Sequence, residues 1–183
     1  ALDLNIEFVN GEPVSLNGEK LSPAQLVIRL NSLAGEHGIG RIDIMEDRMM
    51  GLKVRENYEC PAATVLLKAH KALENLVLTR DEIRFKQIVD LEWSKLAYEG
   101  LWWDPFKTDL ESFILKTQER VEGTVKLSLF KGQATVKGRQ SKWALYSEDL
   151  ASFDSTTFDQ RESTGAVKNF GMQARMFYSL MNK

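Results

Sequence analysis

The chain has 183 residues, 43% of them hydrophobic and 27% charged, a globular mixture long enough for one ample domain or two small ones. Its 24 Lys and Arg against 26 Asp and Glu leave a formal charge of -2, which disfavours a generic nucleic-acid or anionic-membrane binder, because such proteins carry a basic excess. No strictly hydrophobic run exceeds four residues, against roughly 20 for a membrane-spanning helix. The start shows no signal-peptide pattern, and the lone Cys60 has no internal disulfide partner, which fits a reducing cytoplasm.

Leu2, Leu4, Ile6 and Phe8 alternate with polar residues and predict a strand with one buried face. Asn10-Gly11-Glu12-Pro13 predicts a turn, with Val14 and Leu16 on a short return strand. Ser22, Pro23 and Gln25 form a helix start with a capping box. The helix presents Leu26, Leu30, Leu33 and Ala34 on one face, and Gly35 or Gly38 stops it. Ile42 to Met45 predicts a short strand, and Leu52 and Val54 another after a turn around Gly51. Pro61 opens a helix bearing Val65, Leu66, Ala69, Leu73 and Leu76 at helical spacing. Thr79 and Glu82 form a second capping box before a helix with Ile83, Ile88, Leu91 and Leu96 on its apolar face.

A Trp102-Trp103-Asp104-Pro105 corner leads into a third helix through Phe106, Leu110, Phe113, Ile114 and Val121. Beyond Gly123 the period shortens to two. Val125, Leu127 and Leu129 predict a strand that turns at Lys131-Gly132 and pairs back over Ala134 to Lys137. From Gly165 a single helix is expected, with Val167, Phe170, Ala174, Phe177, Leu180 and Met181 on one stripe. Strands at both ends with helices between them predict an α+β fold: one domain of mixed or antiparallel strands, a helical middle section and a C-terminal helix.

Phosphate loops of the GxxxxGK[ST] kind and CxxC or HExxH motifs do not occur. His37, His70 and Cys60 are too few for a zinc site, and His70 reads as a satisfied histidine. Gly38-Ile39-Gly40 is half a dinucleotide fingerprint and precedes an apolar segment instead of following a strand. The dense region is 38–61, where Arg41, Asp43, Glu46, Asp47, Arg48, Lys53, Arg55, Glu56 and Glu59 crowd two short apolar segments. Alternating charge on a turn is ordinarily a solvated surface. Glu46 and Tyr58, however, end the segments that bracket the turn, where a carboxylate and a phenol could converge on a polar ligand.

The stretch GIGRIDIMEDRMMGLKVRENYECPAATVLLKAH resembles the C-terminal, synthetase and multimerisation part of the argininosuccinate synthase family. TQERVEGTVKLSLFKGQATVKGRQS, ALYSEDLASF and STGAVKNFGMQARMFYSLM resemble later blocks of the family, in the same order. The resemblance implies a domain over residues 1–164 and a C-terminal oligomerisation helix over 165–183, with the family's N-terminal ATP-binding domain expected to be absent. It implies ATP-dependent joining of citrulline to aspartate through a citrullyl-adenylate, with release of AMP and pyrophosphate. Glu46 and Tyr58 match the family's citrulline-binding glutamate and tyrosine. Their implied role is positioning: Glu46 accepts from the α-ammonium and Tyr58 orients the substrate. No catalytic, cofactor-binding or metal-binding residue is expected in this chain, since the Ser-Gly-Gly-x-Asp loop that serves ATP, used with Mg2+, does not occur in it.

The resemblance further implies a cytoplasmic homotetramer, inactive as this chain alone. Cys60 stands where the family has threonine, and Lys142 where proline is common. The rival is a non-catalytic oligomerisation module or a split subunit. A nucleic-acid binder would require Lys126, Lys131, Lys137 and Arg139 to form one basic stripe beside exposed aromatics.

Overall fold

The first alternating segment forms β1 (Leu2–Val9), and the turn at Asn10 and Gly11 returns the chain as β2 (Glu12–Leu16). A two-residue strand, β3 (Glu19–Lys20), follows Asn17-Gly18. The computed structural model describes residues 1–151 and 159–182, in two units, Ala1–Leu145 and Tyr146–Lys183.

Both capping boxes are in place. Ser22 caps α1 (Pro23–Glu36) and Thr79 caps α3 (Arg80–Tyr98), each accepting from a backbone N–H three residues on and receiving the reciprocal side-chain contact. Gly38, at φ +70°, follows the end of α1 as expected of a stop signal. Pro61 opens α2 (Pro61–Val77). Asp104 caps α4 (Pro105–Gln118) by accepting from the Phe106 N–H. The late hairpin is β6 (Gly123–Phe130) and β7 (Gln133–Gln140), turned at Lys131-Gly132.

The five strands make one sheet in the order β3-β2-β1-β6-β7, each neighbour antiparallel. The N-terminal strand therefore pairs with one more than 100 residues later, and of the intervening helices α1 and α2 pack on the sheet while α3 and α4 pack on each other: an α+β fold. Leu4, Ile6 and Phe8 of β1 and Val125, Leu127 and Leu129 of β6 are buried together with Leu26 and Leu30 of α1 and Val65, Ala69 and Leu73 of α2. Each such large side chain contributes about 1.5–3 kcal/mol by leaving water, so this seam fixes α1 and α2 against the sheet.

Three expectations are corrected. Ile88 and Leu91 of α3 are exposed, whereas Lys86 and Val89 are buried; helical spacing defines a stripe but not what covers it. The third helix stops at Gln118, and Val121 is buried beyond its end, on the approach to β6. The terminal segment is two helices, α6 (Thr164–Asn169) and α7 (Met172–Met181). Phe170 between them is extended and Gly171 adopts φ +71°, a left-handed conformation that breaks the helix. The second unit also holds a short helix, α5 (Glu148–Ala151), and a 3-10 turn, Gln160–Ser163. Ser152 and Phe153, which end the block ALYSEDLASF, lie outside the described residues.

Candidate functional site

Between α1 and α2 the chain leaves the main sheet as a two-stranded antiparallel ribbon, β4 (Arg41–Asp47) and β5 (Lys53–Glu59). Because its flanking helices are both core helices, its base is fixed. Gly40 sits there at φ +85°, and a Cβ on it would come within 2.5–2.6 Å of the Cys60 and Pro61 backbone. Only glycine permits that approach without displacing backbone. The Cys60 N–H donates to the Gly40 carbonyl at 2.9 Å, and the Cys60 thiol lies 3.6 Å from the same oxygen. The cysteine thus sits within the local packing at the ribbon's base. At the tip, the Arg48 N–H donates to Leu52 O at 2.8 Å and the Gly51 N–H to Arg48 O at 2.7 Å.

The register sets Ile42 opposite Tyr58, Ile44 opposite Glu56 and Glu46 opposite Val54. Side chains alternate along a strand, so these six share one face. On it the Tyr58 hydroxyl donates to Glu46 Oε1 at 3.1 Å. The structure therefore brings together the two residues singled out from the sequence. The Glu46 side chain is 20% exposed and the Tyr58 ring is open to solvent, so an incoming polar group can reach the pair. Loss of solvation, then the hydrogen bond to Glu46 and the nearby Glu46 and Glu56 charges, push the Tyr58 phenol above its ordinary 10.0. It remains a donor at neutral pH.

Arg48 and Glu56 complete this face. Arg48 Nη1 lies 3.5 Å from Glu46 Oε1, while Nη2 donates to Glu56 Oε1. Loss of solvation works against the guanidinium charge, but the Glu46 and Glu56 carboxylates, together with the Tyr98 hydroxyl, outweigh it and raise Arg48 above its ordinary value. The Tyr98 hydroxyl, from the end of α3, donates to the Asp47 carbonyl at 3.4 Å and steadies the strand beside Arg48. Tyr98 lies 51 residues from its partner, and nothing in the sequence pattern singled it out.

The opposite face is a set of ion pairs. Arg55 donates to both oxygens of Asp43, at 2.9 and 2.6 Å, and Lys53 lies 2.8 Å from Asp47. The Arg55 bond holds the Asp43 carboxyl below its ordinary 3.8. Here the ordinary expectation for a charged turn, a solvated and self-paired surface, describes the structure.

Among the described residues no three His, Cys, Asp or Glu side chains converge to hold a metal ion, and the ribbon's Asp43, Asp47 and Glu56 are taken up by Arg55, Lys53 and Arg48. These residues do not fit a Mg2+–ATP complex. His70 is satisfied, with Nε2 2.8 Å from Gln118 Oε1. Lys126 and Lys137 converge on Asp3, at 3.8 and 3.2 Å, so a carboxylate interrupts the basic residues on which a nucleic-acid interface would depend. Lys142 forms a 2.8 Å ion pair with Glu122, the chief cause of that carboxyl's lowered pKa. No helix among the described residues is long and apolar enough to cross a membrane.

Comparison with known proteins places these observations in a family. Residues 1–177 match the family described as "Arginosuccinate synthase C-terminal domain". The chain is 59% identical over 180 residues to the argininosuccinate synthase of Methanocaldococcus jannaschii, covering 98% of this chain and 45% of that protein. It is 58% identical to the Methanosarcina barkeri enzyme over 98% of this chain and 46% of the relative. The Archaeoglobus fulgidus enzyme is 51% identical over 97% of this chain and 45% of the relative. The chain thus spans about half the length of the curated relatives it matches.

Proposed function

The chain belongs to the argininosuccinate synthase family, as its C-terminal domain, and from that premise we propose that it supplies part of a citrulline site and an oligomer interface. The reaction of the complete protein is the ATP-dependent ligation of citrulline and aspartate to argininosuccinate, by way of a citrullyl-adenylate, with release of AMP and pyrophosphate. ATP and Mg2+ belong to the half of the family's length that this chain does not span, and the chain alone is inactive. Its setting is the cytoplasm.

One observation carries the proposal: the hydrogen bond from Tyr58 to Glu46 on an accessible face of a ribbon fixed at its base. Glu46 accepts from the α-ammonium of citrulline, a charge-assisted contact. Tyr58, still protonated at neutral pH, orients the substrate through its hydroxyl. Neither residue takes a proton from the reacting group. Their work is to hold the ureido oxygen where the phosphorus centre can meet it, which lowers the entropic part of the barrier.

The oligomer interface rests on the second unit. Phe170, Met176, Phe177 and Leu180 are exposed on α7 and the extended residue before it, and an apolar surface of this kind marks an interaction site. The proposed assembly is a homotetramer. The same exposed residues support the rival, an oligomerisation module without a substrate site. Substrate kinetics in the complete protein separate the two. Glu46→Gln should raise the citrulline KM roughly 10- to 100-fold, as loss of a charged hydrogen bond does, with the ATP KM changed less than about twofold. An unchanged citrulline KM would remove Glu46 from the site and favour the module.

A further inference from the structure

Glu46 and Glu56 are diagonal neighbours across the ribbon, one opposite Val54 and the other opposite Ile44. Like charges so placed on one face repel. Arg48 lies between them, and its commitment is unequal: it donates a hydrogen bond to Glu56 but stands 3.5 Å from Glu46. Its backbone is held by the turn contacts to Leu52 and Gly51, and its neighbour Asp47 by Tyr98. Two carboxylates and one guanidinium leave one negative charge in excess on this face, with Tyr58 uncharged.

We infer that Glu56 sets the charge met by the substrate's α-ammonium: by taking the closer contact with Arg48 it leaves net negative charge at Glu46 for the ammonium to meet, without touching the substrate itself. The inference rests on the citrulline reading of Glu46 and Tyr58 above. Without the Glu56 charge, Arg48 would be balanced by Glu46 alone and an incoming ammonium would meet a neutral pair. Glu56 is thus a positioning residue, acting through Arg48. Its influence extends across the face, since the Glu56 charge also contributes to keeping the Tyr58 phenol protonated.

The test uses the complete enzyme and three variants. Glu56→Gln keeps an oxygen that can accept from Arg48 but removes the charge. It should raise the citrulline KM roughly 3- to 10-fold, the size expected of one partly screened charge several ångströms away. Glu56→Asp, which restores the charge, should return the KM to within about twofold of the parent. The inhibition constant of 5-ureidopentanoate, which is citrulline without its α-amino group, should not change in Glu56→Gln, because it carries no cation to sense the charge. Equal weakening of citrulline and this analogue would show a purely structural role and overturn the inference. So would an unchanged citrulline KM in Glu56→Gln while Glu46→Gln raises it. If Glu46→Gln itself has no effect, the citrulline reading fails and this inference falls with it.

Discussion

Tyr58 and Asp43, on opposite faces of the ribbon, give it a defined pH window. The Tyr58 phenol is raised above 10.0, mainly by lost solvation and then by Glu46. Its contribution is therefore full below pH 10 and lost as pH rises through the folded value. The Asp43 carboxyl is lowered below 3.8 by Arg55, so its contribution is present above that value and lost as pH falls through the folded pKa. The ribbon accordingly keeps both pairings from about pH 4 to about pH 10. Followed by NMR, the Tyr58 ring should titrate above 10.0, and Glu46→Gln should move that titration down; an unmoved titration would show that the hydrogen bond does not form in solution. Glu46 and Tyr58 stood out in the sequence because they end the two segments that bracket the turn and match the family's motif; that the Tyr58 ring reaches Glu46 along the ribbon follows from the register. Arg48 and Glu56 appeared there only among many charges, because their pairing depends on strand register and on a side chain folding back from the turn.

An isolated two-stranded ribbon is marginally stable in water, so the site depends on how β4 and β5 are anchored. Gly40 is the anchor. A Gly40→Ala variant combines an unfavourable positive φ with a Cβ inside the Cys60–Pro61 backbone, and should cost about 1–3 kcal/mol in denaturant unfolding. Citrulline affinity in the complete protein should fall with it, and a variant as stable as the parent would show that the base can relax. Thr79→Ala at the second capping box should cost about 1 kcal/mol, with no change in citrulline KM, because that cap lies on α3 and not on the ribbon. The caps, the buried stripes of α1 and α2 and the late hairpin were legible because local chemistry specifies them. The length of β5 was not: Lys53, Arg55, Asn57 and Glu59 are exposed, so the segment lacks the apolar alternation that marks a half-buried strand. The break at Gly171 is not legible in the pattern, because an apolar stripe at helical spacing continues across it.

At the scale of the whole molecule, each of the two units has exposed apolar residues among those described. Phe85, Ile88 and Leu91 lie open on α3, and Phe177 and Leu180 on α7. Sequence periodicity shows such faces without naming their partner, so the spacing that puts Ile88 and Leu91 on one stripe of α3 does not decide their burial. Light scattering of this chain should give a mass above that of a monomer, and Phe177→Asp with Leu180→Asp should reduce it. A mass unaffected by the pair of substitutions would place the interface elsewhere. The central claim, however, is that Glu46 and Tyr58 act as one citrulline site. The most direct measurement is a double-mutant cycle on citrulline binding in the complete protein, with Glu46→Gln, Tyr58→Phe and the two combined. Groups joined by a 3.1 Å hydrogen bond are coupled, so each single substitution should weaken binding and the combined loss should fall several-fold short of the product of the two. Single variants that bind citrulline like the parent, or losses that multiply without coupling, would contradict the account.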